Sequence, residues 1–236
     1  MKKLIVITGG TKGIGRALIH IFVENGFDII TCSRNQQELD HLKQDVENSY
    51  EKVDISVFKT DMSRKEEVKA FIDIIKSINR PVDVLINNVG MFLPGQISNE
   101  PDGLYEKMLG TNLSSAYHMT RGLVGDMMER KSGHIFNICS TASITPYING
   151  GSYCISKYAL YGMSKVLREE LKAYNIKVTS VLPGATFTSS WEGEEVDSDR
   201  LMKPEEVASS IWNAYEMSSR TVVEEILLRP QLGDIE

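Results

Sequence analysis

A chain of 236 residues with 42% hydrophobic and 25% charged residues suits one α/β domain, and a net charge of −6 argues against nucleic acid or an anionic membrane as the main partner. No apolar run approaches the roughly 20 residues that span a bilayer, and the first apolar run begins so close to Met1 that no signal peptide is expected. Cys32, Cys139 and Cys154 show no paired spacing, which fits a reducing cytoplasm, and His20, His41, His118 and His134 form no ligand cluster, so no metal is expected.

Residues 3–8 (K-L-I-V-I-T) read as a buried strand that runs into G-G-T-K-G-I-G. Ile14, Leu18, Ile21 and Phe22 then recur at helical spacing as far as Asn25-Gly26, and residues 28–33 form a second strand. Strand, glycine turn, helix and strand make the first half of a dinucleotide-binding unit. In its turn, Thr8, Gly9, Gly13 and Gly15 give the pattern T-G-x-x-x-G-x-G. Glycines there permit a tight turn, let backbone N–H groups approach a pyrophosphate, and let the helix pack close to the strand.

The end of the second strand should read the ribose. An NAD site places an acid there to accept from the 2′-hydroxyl. This chain has Ser33 and Arg34 instead, with Lys12 inside the glycine loop. Two cations and no acid suit a 2′-phosphate, so NADP(H) is the expected cofactor; otherwise Arg34 is a solvated turn residue.

Residues 35–48 read as helix and 55–59 as a third strand ending at Thr60-Asp61. Ser63-Arg64-Lys65-Glu66 has the capping-box pattern and opens a helix to about residue 79. Residues 82–86 form a fourth strand that ends in N-N-V-G, residues 87–90. One long helix is expected over residues 103–130, carrying T-N-L at 111–113, with mixed faces that suggest packing on another subunit. Residues 134–138 (strand), 151–174 (helix), 177–182 (strand), a helix opening at Lys203-Pro204, and 220–228 (strand) complete the alternation. The fold expected is α/β: a single-domain, Rossmann-type, doubly wound parallel sheet over residues 1–236, strand order 3-2-1-4-5-6-7, helices on both faces. Residues 189–200 are polar, acidic and aperiodic, and read either as part of a substrate lid at about 188–202 or as a plain surface connection.

Ser140 follows the fifth strand, while Tyr153 and Lys157 stand one turn apart on the helix that returns from it. A tyrosine hydroxyl, with a pKa near 10, donates a proton readily, and a lysine ammonium one turn away favours the phenolate and draws that pKa down. Ser140 can hydrogen-bond a carbonyl oxygen while Tyr153 protonates it. The trio lacks a hydride, which a cofactor must supply. Cys139 and Cys154 flank it in sequence and read as small apolar fillers.

T-G-x-x-x-G-x-G, N-N-V-G, the Asn of T-N-L, Ser140, Y-C-I-S-K and P-G-x-x-x-T stand in one order and spacing. Over essentially its whole length the chain resembles the short-chain dehydrogenase/reductase family. The resemblance implies a catalytic set of Asn112, Ser140, Tyr153 and Lys157. Tyr153 would be the proton donor, Ser140 would polarise the carbonyl, Lys157 would hold the nicotinamide ribose, and Asn112 would anchor a water of the proton relay. It implies cofactor contacts from Thr8, Gly9, Lys12, Gly13, Ile14 and Gly15 around the pyrophosphate and from Ser33 and Arg34, with Lys12, near the 2′-phosphate. Asp61 would meet the adenine; Asn87 and Gly90 form the loop after the fourth strand; Pro183, Gly184, Thr186 and Thr188 would meet the carboxamide. Members are commonly dimers or tetramers.

N-N-V-G stands where N-N-A-G is usual, and the extra methyl groups need only local repacking. The tail lacks the T-G-x-x-x-x-V-D-G-G ending of 3-oxoacyl-carrier-protein reductases and resembles that of bacterial sepiapterin reductases. That likeness implies a pterin site in which Trp191 walls a flat ring and Glu192 or Glu194 pairs with ring nitrogens; Trp191 would otherwise anchor the loop by packing. An NADPH-dependent carbonyl reductase acting on a small-molecule ketone is the expectation. The alternatives are a 3-oxoacyl-carrier-protein reductase, disfavoured by the acids between Glu192 and Asp199 facing an acidic carrier, and a non-catalytic NADP(H)-binding sensor.

Overall fold

The computed structural model describes residues 2–188 and 197–234. Seven parallel strands form its sheet: β1 (Leu4–Thr8), β2 (Asp28–Ser33), β3 (Ile55–Lys59), β4 (Val84–Asn87), β5 (Gly133–Ile138), β6 (Ile176–Pro183) and β7 (Glu225–Leu228), in spatial order 3-2-1-4-5-6-7. β1 pairs with β2 on one side and with β4 on the other, Val6 lying opposite both Ile30 and Leu85. Between β1 and β4 the winding reverses, which leaves a crevice at the carboxyl ends of the strands.

The helices are α1 (Gly13–Glu24), α2 (Gln36–Ser49), α3 (Lys65–Ser77), α4 (Leu104–Leu109), α5 (Ser115–Arg130), α6 (Gly151–Leu171) and α7 (Pro204–Glu216). They cover the sheet because its strands are apolar on both faces. In β1, Ile5 and Ile7 join a core with α1, α2 and α7, while Leu4 and Val6 join one with α3, α5 and α6. Phe22 of α1 is fully buried, its ring 5.1 Å from Phe27, 5.3 Å from Trp212 and 5.8 Å from Tyr215, all edge-on. This aromatic cluster fixes α1 against α7, and hence the direction in which the start of α1 points.

The fourth strand is Val84–Asn87 where 82–86 was expected, the helix expected over 151–174 ends at Leu171, and larger departures occur in three places. The long helix expected over 103–130 is interrupted by a π-helical turn, Gly110–Ser114, between α4 and α5. Ser63 does not cap α3: the helix starts at Lys65, and Ser63 donates its backbone N–H (3.0 Å) and hydroxyl (2.8 Å) to Asp61 Oδ1, a local turn that competes with the cap. The last strand is shorter than residues 220–228, because only Glu225–Leu228 ladder with β6. Among the described residues no helix is long and apolar enough to cross a membrane.

Truncating Phe22 removes the centre of the aromatic cluster. Phe22→Ala is expected to lower stability by about 3–5 kcal/mol, measured as a shift in the urea midpoint at unchanged slope.

Candidate functional site

The glycine turn lies where β1 meets α1. Gly9 has φ +72°, a left-handed conformation that favours glycine, and a Cβ on Gly15 would stand 2.1 Å from the Gly9 carbonyl oxygen. α1 therefore begins hard against the end of β1. Lys12 is the cap residue, and among the described residues its side chain makes no capping hydrogen bond to the N-terminus. The first N–H groups of a helix so placed suit an anion. Ile14 is half-buried behind them, packed on the core, and Thr188 closes the far side, its Cγ2 2.9 Å from where a Gly13 Cβ would be. A groove of about 1020 Å³ opens beside this turn, with Lys12, Thr188, Lys203 and Glu205 in its lining; it adjoins the cradle and not the serine–tyrosine–lysine trio.

Thr8 and Asn87 have structural positions. Thr8 is buried, and its hydroxyl accepts from the N–H groups of Asn88 (3.0 Å) and Val89 (3.1 Å), tying β1 to the end of β4. Asn87 is buried below the crevice, where its Nδ2 donates to Asn137 Oδ1 (2.8 Å) and Thr120 Oγ1 (3.0 Å). Its neighbour Asn88 reaches the glycine turn instead, donating to the carbonyls of Thr8 and Gly9, each at 2.9 Å. The N-N doublet was visible in the sequence; which Asn faces which way was not.

At the end of β2, Arg34 is exposed and Ser33 half-buried. Lys12 Nζ lies 3.1 Å from Glu38 Oε1. Asp61 is half-buried, which opposes ionisation, but hydrogen bonds from Ser63 and the charges of Arg34 and Arg64 outweigh this and hold its carboxyl below the usual carboxylate range.

Across the crevice, the π turn carries Asn112, fully buried, into contact with the chain after β4. Its Oδ1 accepts from Met91 N (2.8 Å), while its Nδ2 donates to Met91 O (3.0 Å) and Ser156 Oγ (2.9 Å). Single π turns recur at functional sites because they re-aim one side chain without breaking the helix. Gly90 lies between Asn112 and Lys157: a Cβ there would stand 3.2 Å from Lys157 Nζ and 3.7 Å from Asn112 Oδ1.

The trio assembles as its spacing suggests. Ser140 accepts from Ala142 N at 3.1 Å, in a 3₁₀ turn that follows β5, and its hydroxyl is near enough to the Tyr153 phenol to act on it. Lys157 is buried, with Nζ donating to Ile138 O at 2.8 Å and standing 5.9 Å from the centre of the Tyr153 ring. The electrostatics differ from the sequence expectation. Burial pushes the Tyr153 phenol above its ordinary value, and the group that works against this is Ser140, not Lys157. Burial draws the Lys157 ammonium down to about 8, the weak opposing influence being the Cys139 thiol. Cys139 is itself pushed up by burial to about 11, as suits a filler. Pro183 ends β6, Gly184 N donates to Leu228 O (2.8 Å), and the buried Thr186 donates to Gly184 O (2.9 Å), shaping the chain that leads to Thr188. Trp191, Glu192 and Glu194, and with them most of the expected lid, lie outside the described residues.

Phe92 stands edge-on to Tyr153 at 5.0 Å, and Tyr147 lies 6.4 Å from Phe92. Burial also pushes the Tyr147 phenol up. With Leu93 and Ile144 partly exposed nearby in the chain, the open side of the trio is aromatic and apolar. Glu100, which the sequence did not mark, holds the start of α6: its Oε1 accepts from Ser152 N at 2.7 Å and its Oε2 from the Ser152 hydroxyl. The main chain at Gly95 also bonds to both Asn149 and Gly151. These contacts join segments about fifty residues apart, so no local pattern announces them.

A parallel sheet with an anion cradle at its switch point and a Ser–Tyr–Lys cluster beside it defines a nucleotide-dependent oxidoreductase site. Comparison with known proteins agrees: the model of the short chain dehydrogenase family matches residues 3–198, and the chain belongs to that family. It is 32% identical to the sepiapterin reductase of Chlorobaculum tepidum, over all of this chain and 99% of that one. Among solved structures, ElxO with NADP bound is 26% identical and superposes with a TM-score of 0.86 over 96% of each chain. An alcohol dehydrogenase from Thermococcus sibiricus shares the fold, with a TM-score of 0.91 over the full length of both chains.

A carboxylate on the first N–H groups of a helix stabilises it through hydrogen bonds and the helix dipole. Glu100→Ala is expected to cost about 1–2 kcal/mol and to lower turnover, since Tyr153 follows Ser152 directly; Glu100→Gln should recover part of both. Melting temperature and kcat measured on the two variants check this.

Proposed function

We propose that the chain is an NADPH-dependent carbonyl reductase. The observation that carries this reading is the gathering of Ser140, Tyr153 and a buried Lys157, its Nζ 5.9 Å from the centre of the Tyr153 ring, at the strand ends next to the glycine cradle. When bound, NADPH supplies the hydride that reduces the carbonyl carbon. Tyr153 gives its phenolic proton to the carbonyl oxygen as negative charge develops there, and Ser140 donates a hydrogen bond to the same oxygen. Lys157 holds the hydroxyls of the nicotinamide ribose, Asn112 keeps the chain at Met91 in place beside them, and Lys12 and Arg34 hold the 2′-phosphate. Asp61 meets the adenine. The NADP bound to ElxO and the two cations near the end of β2 support the choice of cofactor.

The substrate is a flat, partly apolar ketone of the sepiapterin kind. The aromatic wall of Phe92 and Tyr147 next to Tyr153 and the likeness to a sepiapterin reductase both support this. Exposed Tyr117 on α5 and Ile155, Tyr158 and Val166 on α6 support a homodimer or homotetramer through those helices. The whole chain acts as one NADP(H)-binding unit.

Oxidation of NADPH with sepiapterin, an acetoacetyl thioester and a simple diketone tests the reading. Sepiapterin should be turned over far more efficiently than the others, and Tyr153→Phe should lose about 10²–10⁴ in rate. Preference for the thioester would sink the pterin assignment. No turnover with any of them, despite tight NADPH binding, would sink the reductase reading for these substrates.

The pH profile gives a second test. Tyr153 must carry its proton, and its raised value keeps it protonated across the neutral range. Lys157 is charged below about 8 and neutral above. Because kcat/KM reports the free enzyme, reduction efficiency should fall as pH rises through about 8. Over the span from there to the ordinary lysine value the unfolded chain binds the extra proton, so Lys157's contribution to stability rises with pH. Activity should therefore decline without a parallel loss of folded protein, followed by circular dichroism.

A further inference from the structure

Glu38 belongs to none of the motifs that define the site, yet it occupies the corner where a 2′-phosphate is expected. It is half-buried in the first turn of α2. Its Oε1 lies 3.1 Å from Lys12 Nζ and accepts from Asn35 Nδ2 at 3.2 Å, and its Oε2 accepts from Thr11 Oγ1 at 3.0 Å. Thr11 Oγ1 in turn lies 3.2 Å from Ser33 Oγ. The carboxylate is thus tied to both sides of the pocket, the glycine loop and the end of β2. With Asp61 under the influence of Arg34, two acids among the described residues stand beside the two cations that the sequence presents.

Helix capping does not account for this placement. In a capping box, an acid at this position would turn back to the N–H of the cap residue. Here Asn35 caps α2, accepting from Gln37 N (3.0 Å) and Glu38 N (3.4 Å), while its own N–H points to Ser33 Oγ at 3.5 Å. The Glu38 carboxylate leaves that N–H and meets Lys12, Thr11 and the Asn35 side-chain amide.

A phosphate monoester carries a charge of about −1.5 to −2 at neutral pH. To reach Lys12 it must displace the Glu38 carboxylate, and unless that side chain swings clear the two anions repel. A neutral ribose 2′-hydroxyl meets neither penalty, because a carboxylate accepts its hydrogen bond. We propose that Glu38 is a specificity-determining residue: by competing for Lys12 it narrows the preference for NADPH over NADH that Lys12 and Arg34 create. This rests on the NADP(H) reading above and concerns how strongly that cofactor is chosen.

The test is equilibrium binding without substrate, by calorimetry, of NADPH, NADH and the fragments 2′,5′-ADP and 5′-AMP to the wild type and to Glu38→Gln, which keeps the side-chain shape. In the variant, NADPH and 2′,5′-ADP should bind about three- to tenfold more tightly at low salt, with NADH and 5′-AMP not gaining, and the difference should shrink as salt is raised. A wild type that prefers 2′,5′-ADP, with a variant whose preference is the same or smaller, overturns the proposal alone. No preference in either protein overturns the NADP(H) reading, and the proposal with it. Equal shifts for both cofactors would also overturn the proposal, since they would make Glu38 a support for the loop. A melting temperature for the variant shows whether the fold is kept.

Discussion

The site depends on how the ends of β1 and β4 are held where the winding of the sheet reverses. On either side of that line the connections leave in opposite directions, so the strand ends would part without a clamp. The Thr8 hydroxyl accepts two N–H groups from the chain after β4, and the Asn88 amide donates to two carbonyls of the glycine turn. These four hydrogen bonds replace the ladder that stops there, and they fix the cradle at the start of α1 relative to the loop at Gly90. Neutral hydrogen bonds each contribute only about 1 kcal/mol net, but a buried group left unpaired costs more, so the arrangement resists opening.

A second set of buried polar groups carries this order to the trio. Asn87, Asn137 and Ser164 link β4, β5 and α6, and Asn112 links the π turn to Met91 and to Ser156, which itself donates to Tyr153 O at 2.7 Å. An apolar core of the same shape could be as stable, but it would let α5 and α6 slide on the sheet. Directional bonds set their register, and with it the positions of Tyr153 and Lys157. Asn87 Oδ1 finds no partner among the described residues, so the network is not fully satisfied.

What was legible in the sequence followed from short-range physics. The bounds of β2 and β3 came out correctly because apolar runs are stopped there by turn residues. The strand order followed from alternation of strands and helices. The trio was readable because Tyr153 and Lys157 share one helix face and Ser140 closely follows a strand. The π turn was not readable, since one extra residue in a helical turn leaves the apolar period nearly unchanged. Nor were Glu38 and Glu100: each is an acid in an ordinary polar stretch, and only the fold brings it to Lys12 or to Ser152. The direction of the Tyr153 shift was misread for a related reason. A lysine one turn away suggests a lowered phenol, but burial of both groups outweighs their proximity.

That burial bears on the direction of the proposed chemistry. Desolvation disfavours the charged form of either residue, so it raises the phenol and lowers the ammonium together. A tyrosine held above its ordinary value is a poor base and keeps its proton to give. A lysine drawn to about 8 keeps its charge at neutral pH but is ready to lose it. Both shifts favour a protonated Tyr153, which suits the proposed reduction of a carbonyl. The reverse oxidation needs the phenolate, and the same burial opposes forming it. The Ser140 hydroxyl offsets part of that cost, because a donor bonds more strongly to an oxygen that bears negative charge. In reduction that same hydroxyl is available to the substrate oxygen, where the charge then develops.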